Sequence, residues 1–445
     1  MIRPSLASIM LLAPALAAFA APIESDPGAK QLQVYPKNLA RHHVGANLFI
    51  FDTASTSYRP TEASAAWLDD DITTGWAAMA GKQHYLLALP EPDVITNFCL
   101  SARAAQGTIT IFAGDEPGAP DAKSWVPLVR DVPFDSVNEK KLARPFSRLG
   151  KYILIETNIA EPGPIYSLYL FGERPAVAYQ LIKRDQPIDV KALFGSFVNE
   201  QTAFSRAALY AGGRVAFATG GSSYTAWQKL IDENPESSVS IVPTKDEAGL
   251  VLKLADKQTM TRIAVLANSG AKGKLEVFLA ADLPAQGDVA ATAPADGVQP
   301  VRNVSNAPIT QPISLAGQTP VATFAFDGSN GRLSQDLAGG DGAALLVRWT
   351  PDNGSDALTL REFNAFSGFS LGEYGLQLTP EAIAELARDS DGKSLADGKD
   401  GKSLAPVKEL LPPIGQGFNR KPPYLPPALG FPPPIPPRLP PPVSE

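Results

Sequence analysis

The 445-residue chain is poor in the residues that most enzymes and disulfide-rich proteins depend on: it has one cysteine, Cys99, and three histidines, His42, His43 and His84. With a single thiol, no disulfide can form within the chain, and packing alone must hold the fold. Cys99 sits in the apolar run Ile95–Leu100, which reads as a small buried thiol rather than a reactive one. Any histidine-based triad or zinc site would have to draw on three residues. Adjacent His42 and His43, read as part of a strand, face opposite sides and suit a surface pair better than joint metal ligation. No Gly-x-Ser-x-Gly elbow, phosphate loop or dinucleotide fingerprint occurs in a strand-turn-helix setting. The acids Asp69 and Asp71 share one loop, too close together for the two carboxyl groups that glycoside hydrolysis places across a sugar. Basic residues are not in excess. Lys and Arg number 39 against 46 Asp and Glu, a net charge of −7, so no basic stripe exists to follow phosphates, and nucleic acid is excluded as a partner. Beyond the N-terminus no apolar run is long enough for a membrane span. These absences point to a non-catalytic protein.

What is present begins with Arg3, an apolar stretch from Leu6 to Phe19, and Ala18-Phe19-Ala20 ahead of Ala21, the pattern of a secretory signal peptide. A secreted or periplasmic product is expected. Short apolar or alternating runs then recur between Gly and Pro turns: Asn47–Phe51, Tyr85–Leu89, Thr96–Ala102, Thr108–Ala113, Lys151–Thr157 and Ile165–Phe171. A second series repeats their order. Tyr85–Leu89 matches Leu250–Leu254, and Gly107–Phe112 matches Gly273–Phe278, which marks an internal duplication. The second copy carries a Pro-, Ala- and Asn-rich insertion from about Leu283 to Pro320, expected as a surface loop.

The expected organisation is a signal peptide over 1–20, a β-sandwich over 21–173, a linker over 174–205 and a second sandwich over 206–370. A short helix and spacer follow over 371–411, and a Pro-rich tail over 412–445. Within the linker, Asp189–Asn199 suits a short helix between the modules. Thr379-Pro380-Glu381 carries a cap, a first-turn proline and an early acid, which predicts a helix through Arg388. The tail cannot pack a core and reads as polyproline II or disordered, a tether or a docking segment for another protein.

In the first copy, Ala66-Trp67-Leu68-Asp69-Asp70-Asp71-Ile72-Thr73-Thr74-Gly75-Trp76 resembles the signature of the discoidin, or coagulation-factor type C, family, departing from it at Asp70, where the family has Gly. Asn38–Ala40, Gln83–Tyr85, Trp125–Leu128 and Ile165–Gly172 fit its surrounding strands. The resemblance implies an all-β fold of two tandem galactose-binding-like jelly-roll sandwiches. It also implies a structural calcium in the Asp-rich loop, held by hard oxygens. The matching positions are Asp69, Asp71 and Thr74 in the first copy, with Ser167 where the family has a closing-strand Glu. In the second copy they are Asp232, Asn234, Ser237 and Glu362. Sugar recognition in such modules comes from loop aromatics and polar side chains. The candidates are Tyr58, Arg59, His84 and Arg103 in the first copy and Tyr224 and Trp227 in the second. The function implied is recognition of carbohydrate or cell-envelope glycan, with tandem modules able to add avidity. Alternatives are a structural or adhesive envelope protein that binds other proteins, and the accessory subunit of a hydrolase.

Overall fold

The computed structural model describes residues 32–134, 140–141, 148–220, 223–283, 309 and 312–384. The expected signal peptide, most of the second-copy insertion, most of the expected spacer and the Pro-rich tail lie outside them. The expected helix after Thr379 begins at Pro380, where the Thr379 hydroxyl and carbonyl accept from the amides of Ala382 and Ile383, and is described as far as 384.

The first sandwich comprises β1 (Pro36–Asn38), β2 (Asn47–Asp52), β3 (Ser57–Pro60), β4 (Trp76–Ala78), β5 (Gly81–Ala102), β6 (Gln106–Gly114), β7 (Val126–Phe134), β8 (Lys140–Lys141), β9 (Arg148–Glu161) and β10 (Gly163–Pro175). The two apolar runs Tyr85–Leu89 and Thr96–Ala102, expected as separate strands, are two arms of β5. Pro90 and Pro92 lack the N–H that a ladder needs, so pairing with β9 breaks between Ala88 and Asp93, and the strand passes from one layer to the other. One arm pairs with β2 and the other with β10. Leu87, Phe98, Ile111, Ile153, Ile155 and Leu168 fill the space between the layers, with Trp67 and Tyr85 packed 4.7 Å apart at one end.

After β11 (Tyr179–Lys183), the second sandwich repeats the plan with β12 (Arg214–Ala218), β13 (Val239–Ile241), β14 (Leu250–Thr259), β15 (Arg262–Ala267), β16 (Lys272–Ala280), β17 (Ala322–Asp327), β18 (Arg332–Asp336), β19 (Asp341–Pro351) and β20 (Leu358–Phe366). Here the long strand is cut at Met260-Thr261, so the layers separate into sheets ordered β12-β14-β19-β16-β17 and β13-β20-β15-β18. Leu252, Val265, Val277, Val347, Trp349 and Phe363 form the core. The last part of the insertion is not all surface: Ile309, Ile313 and Leu315 are buried against Val251 and Phe278.

Two features fix the correspondence between the copies. Each closing strand carries a register shift, between Ile165 and Ser167 in β10 and at the Leu360–Glu362 step in β20, so Ser167 and Glu362 are equivalent. Each copy also has a single helical turn, His42–Val44 or Leu209–Ala211, closed by a left-handed glycine, Gly45 (φ 92°) or Gly212 (φ 83°). That conformation suits glycine. This alignment pairs Arg41 with Ala208 and His43 with Tyr210.

His42 and His43 therefore lie in a helical turn, not in a strand, and both are 1% exposed, so the surface pair expected from the sequence is corrected to a buried one. The segment expected as a linker covers them. Its β11 pairs with β21 (Tyr374–Leu378), and Phe194 and Phe204 from the same region pack on His42 and His43, with ring centroids 5.2 and 5.5 Å apart. The short helix expected in Asp189–Asn199 is Val190–Phe194, capped by Asp189, which accepts from Ala192.

Candidate functional site

The two acid loops share one internal geometry. In the first, the Thr74 hydroxyl lies 2.7 Å from Asp69 Oδ2 and 2.8 Å from the Asp71 carbonyl. In the second, the Ser237 hydroxyl lies 2.8 Å from both Asp232 Oδ1 and the Asn234 carbonyl. It also lies 2.9 Å from Asp232 Oδ2 and from the Lys229 carbonyl. A hydroxyl has one proton to donate, so of the four acceptor oxygens around Ser237 three are in surplus. Glu362 adds to them: it is 1% exposed, and its Oε1 has no hydrogen-bond partner among the described residues. Burial, reinforced by the charge of Asp232, pushes the Glu362 carboxyl well up, and burial does the same to Asp232. This crowding of hard oxygens fits calcium. The Asn234 side chain does not join it, since its Oδ1 accepts from the Glu236 amide at 3.2 Å; its carbonyl faces the cluster instead.

The first loop differs in its surroundings. Asp71 is taken by the second sandwich, with Oδ2 2.7 Å from Arg262 Nε, while its Oδ1 accepts from Thr73. Asp69 gains a second hydroxyl from Thr202 at 3.2 Å. Burial pushes the Asp69 carboxyl well up, helped by the charge of Asp71.

Asp70 and Glu233, the middle acids of the two loops, meet between the sandwiches. Lys37, fully buried, donates to Glu233 Oε1 and Oε2 at 2.8 and 2.7 Å, and its Nζ lies 4.6 Å above the Tyr210 ring. Arg41 Nε is 3.1 Å from Asp70 Oδ1 and 3.8 Å from Glu233 Oε1. The contacts are reciprocal: Tyr210 of the second copy donates to Asp70 of the first, and His43 of the first lies 3.9 Å from Glu233 of the second. Glu233 enters with a left-handed backbone (φ 58°), a strained state for a non-glycine residue. His43, Asp70 and Glu233 bring metal-binding atoms within 4.8 Å of one another. Lys37 and Arg41 already balance the two carboxylates, so a divalent ion there would add uncompensated positive charge. Burial holds the His43 imidazole well below its ordinary pKa, hence neutral.

The sugar-binding candidates do not converge. Tyr58 donates to the Gly118 carbonyl at 2.9 Å and meets Phe51 edge-on, while Arg59 is exposed on the same hairpin. His84 is engaged with Glu156 at 2.9 Å. Arg103 reaches into the second sandwich, bonding Asn330 Oδ1 at 2.8 Å and the Ser329 carbonyl at 3.2 Å. Tyr224 and Trp227 do come together, 6.5 Å apart, but Trp227 packs on Phe217 and the core.

A pocket of about 350 Å³ lies instead between the β15–β16 and β19–β20 turns of the second sandwich. Asn268, Ser269, Lys272, Asn353, Asp356 and Thr359 line it together with the buried Trp349, whose indole N–H donates to the Asp356 carbonyl at 2.7 Å. Sequence reasoning missed it because Asn, Ser, Gly and Asp in turns read as strand punctuation; two such turns flanking neighbouring strands were the available signal.

No protein-family model and no curated protein sequence matches the chain. Among solved structures, a pectin-binding carbohydrate-binding module is 21% identical, with a TM-score of 0.22 over 30% of this chain and 91% of that one. A fucolectin from striped bass serum is 13% identical, with a TM-score of 0.22 over 75% and 99%. Allantoicase from Saccharomyces cerevisiae is 11% identical, with a TM-score of 0.23 over 76% and 96%. The chain is an all-β protein of two diverged sandwiches, and carbohydrate-binding modules and a fucolectin stand among its structural neighbours, a likeness from which no ligand is transferred.

Proposed function

We propose that this is an exported, non-catalytic carbohydrate-binding protein whose ligand site is the pocket of the second sandwich, stiffened by calcium in the neighbouring acid loop. The observation that carries this reading is the pocket lining. Amide, hydroxyl, carboxylate and ammonium groups set around a shallow concavity of this size match the paired donors and acceptors of a saccharide. Asp232, Ser237 and Glu362, with the carbonyls of Lys229 and Asn234, would hold the ion, which neutralises the buried diacid and fixes the loop. The first sandwich serves to brace the second. The Pro-rich tail is the tether.

A glycan array on the mature protein tests the reading. Specific, saturable binding that is lost in Asp356→Ala and Asn353→Ala is expected. Absence of sugar binding with retained binding to envelope fractions would favour the adhesive alternative, and sugar hydrolysis by the isolated chain would overturn the non-catalytic assignment.

A further inference from the structure

The two copies differ at two equivalent positions, and the differences compensate. The first has Arg41 immediately before its helical turn and Ser167 on its closing strand; the second has Ala208 and Glu362. Where the first copy gained a fixed positive charge, it lacks an acid. Arg41 is 2% exposed, and its Nε lies 3.1 Å from Asp70 Oδ1 in the first acid loop. Its Nη1 donates to the Leu168 carbonyl at 2.8 Å and the Ala40 carbonyl at 3.0 Å, and reaches the Trp67 carbonyl at 3.4 Å. Leu168 directly follows Ser167, as Phe363 follows Glu362, so the guanidinium gathers main-chain oxygens beside the position that Glu362 occupies in the other copy. Its charge acts on Asp69 and, across the interface, on Glu362 as well. A guanidinium carries five N–H donors and no acceptor, which suits it to a nest of oxygens that would otherwise attract a cation.

We infer that the Arg41 guanidinium is a built-in replacement for the metal ion in the first sandwich, so that the chain takes one calcium, in the second sandwich, and not two. This rests on the calcium reading above. A bland role for Arg41 as an interface residue accounts for its contacts with Asp70 and Glu233, but not for its carbonyl contacts or for the paired change from Ser167 to Glu362.

Native mass spectrometry and calorimetry of the full mature chain with calcium alone read the stoichiometry. One ion is expected on the unaltered protein, none on Glu362→Gln, and two on the double variant Arg41→Ala, Ser167→Glu. Two ions on the unaltered protein, or one retained by Glu362→Gln, would overturn the inference while leaving calcium binding intact. No ion on the unaltered protein but one on the double variant would support the replacement by Arg41 and overturn the one-calcium count together with the calcium reading of the second copy. None on either overturns both. If circular dichroism shows the double variant unfolded, the reverse exchange, Ala208→Arg with Glu362→Ser, makes the same test. It should take no ion and melt without calcium at or above the unaltered protein, and a retained ion would refute the replacement.

Discussion

Asp69 and Asp232 occupy the same place in two loops of one design, yet Asp69 takes two hydroxyls on one oxygen, whereas Asp232 shares a single hydroxyl with two carbonyls. Two threonine hydroxyls reach Asp69 Oδ2 and none reaches its buried Oδ1; the Ser237 hydroxyl at Asp232 is crowded by four oxygens, and the buried Glu362 Oε1 has no partner among the described residues. A duplicated module need not keep both versions of a costly buried site. One copy can set a charged side chain against its acid loop, and the other can retain the demand for an external ion.

The middle acids carry the largest expected effect. Lys37→Met leaves Glu233 buried against Arg41 alone and should cost about 3–5 kcal/mol, the scale for breaking a buried ion pair from one side. Urea unfolding measures it, and a loss below about 1 kcal/mol would show that the sandwiches do not depend on this pair. Next comes calcium. At about a hundred times its dissociation constant the ion should add about 2.7 kcal/mol, read as a rise in Tm that Glu362→Gln removes.

The same loop fixes a pH dependence. Asp232 and Glu362 are raised by burial, so without calcium the folded protein holds protons there that the unfolded chain releases above about pH 4. Their contribution is fully present below the unfolded value and is lost as pH rises through the raised folded values. Melting in EDTA should therefore rise as pH is lowered from 8 towards 5, and calcium should flatten the profile. A profile that falls with acid in EDTA would contradict the surplus of acids.

At the pocket, Asp356→Ala should weaken sugar binding at least tenfold, about 1.4 kcal/mol, with melting unchanged. Tyr58→Phe in the first sandwich should leave binding as it was, and a loss there would move the site. The smallest effect belongs to Arg103→Ala. This exposed residue bonds across to Asn330, and chemical denaturation should detect less than about 1 kcal/mol.

The strands were legible because apolar runs between Gly and Pro turns leave few alternatives, and the duplication was legible because both copies keep that order. The acid loop was legible from Asp69, Asp71 and Thr74. The histidine pair was not: His42 and His43 look like a strand fragment until Gly45 closes a helical turn and Phe194 and Phe204, from over a hundred residues away, cover it. Arg103 looked like a loop contact for sugar because nothing local announces Asn330 as its partner. Tyr58 and His84 are bound by backbone and carboxylate groups that lie far along the chain.

By itself the sequence determined two all-β modules with acid-rich loops, since side-chain periodicity and turn chemistry are local. Only the tertiary structure decided what those acids meet. Lys37 and Glu233 are 196 positions apart, and Asp71 and Arg262 are 191 apart. Whether a buried charge is balanced depends on groups within a few ångströms, and packing of the two sandwiches brings those groups together from opposite halves of the chain.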